Sequence, residues 1–149
     1  MPNCKHGIDS RFCSLCASPL TDRERRRRSV QQRATTHAPA NHAEREAYEA
    51  LYAYEEALSK QKGKTIRASR TWPMVEKYGI IGAVERIVTR PDDAPGYRVL
   101  VEMGMEDMAF EAVVLKHPDV FSQEAVEHSR LRLQRLHSNA ASVTASPNR

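Results

Sequence analysis

Between Ala43 and Gln61 the apolar side chains recur with the period of one helix face. Ala47, Ala50, Leu51, Tyr54, Ala57 and Leu58 fall at the i, i+3, i+4, i+7 spacing and predict an amphipathic helix over residues 43–63. Asn41 stands where an N-cap belongs, and Glu44 and Glu46 complement the positive end of the helix dipole. Lys60 and Lys62 suit the opposite end, and Gly63 supplies the stop.

Residues 64–137 continue as short helical pieces and predict a compact α-helical domain. Ser69 or Thr71 caps a piece through Trp72 to Tyr78, with Pro73 tolerated in the first turn and Gly79 ending it. A second piece, Ile81 to Thr89, presents Ile80, Ile81, Val84, Ile87 and Val88 and stops before Pro91. Asp92, Asp93 and Pro95 open a third, through Tyr97 to Met103, which Gly104 terminates. Tyr97, Val99, Val101 and Met103 also alternate as a strand would, but no nearby segment offers a partner strand, so helix is the reading. Glu106 to Lys116 buries Met108, Ala109, Ala112, Val113 and Leu115 ahead of Pro118. Ser122 then caps a helix to about Leu136, with Phe121 and Val126 as a hydrophobic staple and Val126, Ser129, Leu133 and Leu136 on the buried face. Trp72, Tyr78 and Phe110 read as core aromatics, and the fold class is mainly α.

The two ends lack such patterning. Residues 21–42 read as a basic flexible linker: an arginine run, then Gln31, Gln32, Thr35, Thr36, Pro39 and Asn41, with almost nothing to bury. Residues 138–149 read as a disordered tail. Composition agrees with a partly coreless chain, at 40% hydrophobic and 28% charged residues over 149 positions. No apolar run reaches transmembrane length, and Pro2, Asn3, Lys5, His6 and Asp9 interrupt any signal-peptide core. The expectation is a cytoplasmic protein without a membrane partner.

All 3 cysteines lie within the first sixteen residues, where Cys4, His6, Cys13 and Cys16 spell C-x-H-x6-C-x2-C. Deprotonated thiolates and a neutral imidazole arriving as two close pairs are what a tetrahedral zinc ion takes, and Gly7 eases the turn after His6. Residues 1–20 therefore read as a zinc knuckle holding structural Zn2+, too short to fold without the metal. Four protein ligands leave no open position for water, so such a site folds the peptide without catalysing. A redox C-x2-C and three unpaired thiols are the alternatives. The redox reading lacks the strand–helix context, and a c-type haem would need histidine where Ala17 stands. The pattern resembles the short zinc knuckles and ribbons at the ends of many bacterial and phage proteins; over residues 4–16 that resemblance implies metal binding and no particular partner.

Charge is uneven. The chain has 23 Lys and Arg against 19 Asp and Glu, a formal +4, and the excess sits beside the cysteines. Arg23, Arg25, Arg26, Arg27, Arg28 and Arg33 face only Asp22 and Glu24, whereas residues 64–137 are neutral. Such a block can neutralise nucleic-acid phosphates, can serve as an extended solvated linker, or in a eukaryote can act as a nuclear-localisation signal. No aromatic is interleaved with it, so base stacking on this segment is not expected.

His117-Pro118-Asp119 between two helices resembles the signature of J-domain co-chaperones, with Tyr97-Arg-Val-Leu100 echoing their first helix, and this implies stimulation of a chaperone ATPase. The departures are the acidic Glu106, Asp107 and Glu111, where a J-domain carries a basic helix, and the short span from Tyr97 to His117. Lys116 and His117 also suit a helix C-terminus that Pro118 ends. The runs Arg70-Thr-Trp-Pro-Met, Tyr78-Gly-Ile-Ile-Gly-Ala-Val-Glu-Arg86 and Phe110-Glu-Ala-Val-Val-Leu-Lys-His-Pro-Asp-Val-Phe-Ser122 resemble a small helical domain of bacterial proteins, which implies no activity. No nucleophile elbow, phosphate loop or HExxH is present, and His117, His128 and Glu124 read as isolated helix residues. The expected function is a non-enzymatic zinc-binding adaptor, touching nucleic acid through residues 1–34 and an unidentified protein through the helical domain. The competing class is a purely protein–protein interaction module.

Overall fold

The computed structural model describes Gly7, residues 20–91 and residues 95–144 of the chain. Among these residues there are helices and no strand, as expected for a mainly α protein. The order is α1 (Asp22–Thr35), α2 (His42–Lys62), α3 (Thr71–Val88), α4 (Pro95–Glu102), a 3-10 turn (Glu106–Met108), α5 (Phe110–Lys116) and α6 (Gln123–Thr144). No helix among the described residues is long and apolar enough to cross a membrane.

Helix α2 is the spine. It begins and ends where its sequence places it, with the Asn41 side chain accepting from the Glu44 N–H and Gly63 left-handed at φ 69°. It touches α1, α3, α4 and α5. Small side chains make this possible, because Ala43, Ala47, Ala50, Ala53 and Ala57 are all buried and let neighbouring backbones approach from several directions. Ala47, Ala50 and Leu51 join Val84 and Val88 of α3, Val113 and Val114 of α5, and Phe121 and Ala125 around α6 in one core cluster. Ala53 and Ala57 join Val30 of α1 and Tyr97, Leu100, Met103, Met105 and Met108 in a second.

The punctuation read from the sequence largely holds. Gly79, at φ 76° and ψ 167°, breaks α3 into two pieces. That break shifts the helical register: Ile80 enters the core, while Tyr78 is left exposed beneath the Arg86 guanidinium, 3.7 Å from its ring centre, and so is not the core aromatic it was expected to be. Helix α4 closes in a Schellman motif, with Gly104 at φ 65°, its N–H on the Val101 carbonyl and the Met105 N–H on the Leu100 carbonyl. Neither Ser69 nor Thr71 caps α3; Arg70 occupies the cap position without a side-chain bond. The buried Glu55 carboxylate of α2 ties that end instead, accepting from the Ala68 N–H at 2.8 Å and from Trp72 Nε1 at 2.6 Å. The Ser122 hydroxyl accepts from the Ala125 N–H, with Phe121 buried against the same cluster that Val126 packs on.

Two expectations about the chain ends are corrected. Residues 22–35, within the stretch expected as a flexible linker, form α1. Thr21 and Glu24 make a reciprocal capping box, and Val30 and Ala34, one turn apart, are fully buried. Burial of one such valine contributes about 2 kcal/mol, and the remaining attachment is ionic. At the other end α6 continues to Thr144, beyond the position where a disordered tail was expected to begin. Once a helix is nucleated each further residue adds its bond at little cost, and Ala140 and Ala141 favour propagation.

Candidate functional site

The fold divides the arginine block by helix face. Arg27 lies on the Val30–Ala34 side and grips the body: Nη1 donates to Asp107 Oδ2 at 3.0 Å, and Nη2 donates to Asp107 Oδ1 at 2.6 Å and to the Gly104 carbonyl at 2.8 Å. This fork holds the Asp107 carboxyl below the usual aspartate range and pushes the Arg27 guanidinium up. Arg33 approaches Glu56 at 3.7 Å and lies over the Tyr52 ring. The Arg23 side chain lies against the Gly104 turn, where an added Cβ would come within 3.0 Å of it. Arg25 pairs with Asp22 on the helix itself. Among the described residues Arg26 and Arg28 have no ion-pair partner, and Arg28 is exposed. Arg25 and Arg28 therefore form the solvent edge of α1, an i, i+3 pair.

Behind Arg27 opens a cleft of about 460 Å3, walled by α1, α2 and the segment from Asp107 to Lys116. Its charged lining is Arg27, Arg45 and Lys116 against Glu46, Glu49 and Asp107. Lys116 Nζ donates to the Asp107 carbonyl at 3.2 Å, and Glu46 Oε2 meets His117 Nε2 at 2.6 Å. His117 thus ties the C-terminal end of α5 to α2, which gives the His-Pro-Asp histidine a structural role in this fold. Pro118 and Asp119 beside it are exposed. Arg45 and Glu49 are less well provided. Their closest approach is 3.7 Å, and Arg45 Nε is buried with no hydrogen-bond partner among the described residues. Burial pushes the Glu49 carboxyl above the usual glutamate range, and Arg45 and Lys116 only partly oppose it.

On the far side of α1 a group of rings closes the α1–α2 turn. His37 stacks on Tyr48 with centroids 4.2 Å apart, lies 5.4 Å from Trp72 and makes a 2.7 Å hydrogen bond between Nε2 and the Tyr52 hydroxyl. Desolvation pushes the His37 pKa down. Arg67 lies over Trp72 as Arg33 lies over Tyr52.

The four expected zinc ligands, Cys4, His6, Cys13 and Cys16, lie outside the described residues. Of their neighbours only Gly7 is described, at a left-handed φ of 75°. Among the described residues no group of three or more His, Cys, Asp or Glu side chains could hold a metal ion. Sequence reasoning missed the cleft, because Arg27, Arg45 and Asp107 come from three separate stretches of chain. It also missed α1 as a helix, although Thr21-x-x-Glu24 is a capping-box signature that could have revealed it. Compared with protein-family models, known proteins and solved structures, the chain finds no match among any of them.

Proposed function

We propose that this chain is a non-enzymatic, zinc-binding adaptor: Cys4, His6, Cys13 and Cys16 hold a structural zinc, α1 offers arginines to a polyanion such as nucleic acid, and the helical body binds a protein. The observation that carries the polyanion part is the capped, docked helix α1, which keeps Arg25 and Arg28 together on its solvent edge while Arg27 and Arg33 fasten it to the body. A fixed helix presents those guanidinium groups without the ordering cost a flexible linker would bear. The zinc part rests on the ligand chemistry of residues 4–16.

The test is binding of a nonspecific oligonucleotide by fluorescence anisotropy across a salt series. Native protein binds with affinity falling as salt rises, and replacing Arg25 and Arg28 by Gln lowers the log–log salt slope by about 2, one per lost phosphate contact. Binding that ignores both salt and these arginines would overturn the polyanion reading and leave a protein–protein module. Elemental analysis of reductively purified chain addresses the metal separately: one zinc per chain, lost in Cys13→Ser, is the expected result.

A further inference from the structure

The arginine block of α1 holds no ring of its own, yet the fold sets rings beside it. Tyr48 and Tyr52 stand one turn apart on α2, Trp72 opens α3, and His37 comes from the α1–α2 turn. The Tyr52 and Trp72 centroids are 5.5 Å apart, and His37 lies within 5.7 Å of Tyr48, Tyr52 and Trp72. All four rings are only half-buried. Arg33, near the C-terminal end of α1, lies 5.8 Å over Tyr52, and Arg67 lies 5.2 Å over Trp72. A single half-buried Tyr or Trp is ordinary, but four in mutual contact at one surface, between two arginines, form a patch of the kind that meets a partner.

The segment joining α2 to α3 adds charge of one sign. Lys60, Lys62, Lys64, Arg67 and Arg70 follow one another, with no Asp or Glu between Ser59 and Val75. All five are exposed, and none has an ion-pair partner among the described residues. The segment is also fastened. The Ser59 hydroxyl accepts from the Ile66 N–H at 2.8 Å, and the Glu55 carboxylate accepts from the Ala68 N–H at 2.8 Å. Glu55 also takes the Trp72 indole N–H at 2.6 Å, which fixes one edge of that ring. His37 is set by a strained turn: Ala38 after it is left-handed at φ 48°, which a non-glycine residue adopts only where its surroundings impose it. Carboxylates at this surface are few. Glu55 is buried and engaged, Glu56 stands 3.7 Å from Arg33, and Glu44 lies near Tyr48.

We propose that this surface takes single-stranded nucleic acid, with bases stacked at Tyr52 and Trp72 and phosphates running from Arg25 and Arg28 past Arg33 to Arg67. The inference rests on the polyanion reading of α1 and extends it to one class of strand. Helical rise puts about 12 Å between Arg25 and Arg33, and the rings continue the track beyond, enough for several nucleotides. Ring faces suit every base and guanidinium groups suit phosphates, so affinity comes without a sequence preference. An entering base replaces an arginine over its ring and frees that guanidinium for a phosphate. A duplex keeps its bases stacked inside and offers this surface phosphates alone.

Trp72 is the only tryptophan, so its fluorescence reports on this surface. The full chain is titrated with an oligothymidylate of about ten nucleotides, an abasic oligomer of the same length and a duplex of that length. The oligothymidylate should quench Trp72 saturably and bind at least about tenfold more tightly than either other probe at the same salt. Tyr52→Leu should weaken that binding about tenfold and leave the abasic affinity unchanged, a pattern that neither misfolding nor lost charge produces. Arg67→Gln, at an exposed position, serves if Tyr52→Leu does not fold, and should lower the log–log salt slope by about 0.7. The stacking inference falls, with the polyanion reading intact, if the abasic oligomer or the duplex matches the oligothymidylate, or if Trp72 emission is unchanged at saturation. An oligothymidylate affinity that survives Tyr52→Leu, or a salt slope that survives Arg67→Gln, overturns it equally. If none of the three probes binds, both readings fail together.

Discussion

Helices α1 and α2 lie against each other, yet they are joined to the molecule by different physics. Helix α2 meets its neighbours through Ala47, Ala50, Leu51, Ala53 and Ala57, all essentially without exposure. Helix α1 buries only Val30 and Ala34, and adds the Arg27 fork on Asp107 and Gly104, the Arg33–Glu56 approach and a capping box at Thr21. Hydrophobic burial is indifferent to pH and barely affected by salt, whereas ion pairs depend on both. The same small fold therefore contains a spine that should leave only by global unfolding and an arginine helix that can come away by itself.

The strongest way to break that contrast is in the spine. Leu51→Ala removes a fully buried side chain from the larger cluster and should cost about 4 kcal/mol, seen as a fall in the denaturant midpoint of the whole cooperative transition. If instead the midpoint moves little, α2 is not the spine and the contrast with α1 disappears. The buried Arg132–Glu111 pair of α6 and α5, at 2.8 Å, belongs with the spine despite its charge, because neither side chain is more than 6% exposed and salt reaches it poorly.

A smaller change should separate the two helices. Arg27→Met keeps most of the aliphatic contact and deletes three hydrogen bonds. Hydrogen bonds to charged groups are individually worth more, but Asp107 is nearly half exposed, so about 1 kcal/mol is the fair magnitude after screening. In the native protein residues 22–35 should exchange faster than the α2 amides, through an opening of smaller denaturant dependence, and the variant should speed that exchange by about fivefold. Equal rates and equal denaturant dependence over both helices in the native protein would mean that they unfold as one unit. The ionic attachment also carries a sign. Asp107 has a folded pKa below its unfolded value, so its contribution is present above the ordinary aspartate pKa of about 4 and is lost as pH falls through the depressed folded value.

The same contrast explains what the sequence revealed. Helix α2 was legible because its burial is periodic, and the glycines at 63, 79 and 104 were legible because only a left-handed backbone closes those turns. Helix α1 was not, since two apolar positions among fourteen residues give no period to read. Its attachment also depends on Asp107, eighty residues away. Tyr78 was misplaced for a related reason: Gly79 changes the helical phase, and a single period carried across it assigns the wrong face. The cleft was invisible for the same cause as the Arg27 fork, because its walls are assembled from distant segments whose charges looked like ordinary surface. Only the capping box of α1 was local enough to be read.

The finest distinction lies in the turn between the two helices, where His37 is held by rings from α2 and α3. Its ring stacks on Tyr48, lies beside Trp72 and shares a hydrogen bond with the Tyr52 hydroxyl, with Arg33 over the other ring of that pair. Desolvation lowers its folded pKa below the unfolded value, so the unfolded chain holds the proton more tightly. Stability from this group is therefore complete above the unfolded pKa of about 6.5 and declines as pH falls from there through the lower folded pKa. Because protonation also puts a second cation beside Arg33, the effect should fall on the α1–α2 turn before it reaches the spine. His37→Phe retains a ring for Tyr48 and Trp72 while removing the titration, at the cost of the Tyr52 bond. Amide exchange of residues 30–36 should then lose its dependence on pH between about pH 7 and 5, after correction for intrinsic rates. If that dependence persists in the variant, another histidine is responsible, and α1 is fastened at this turn by the rings alone.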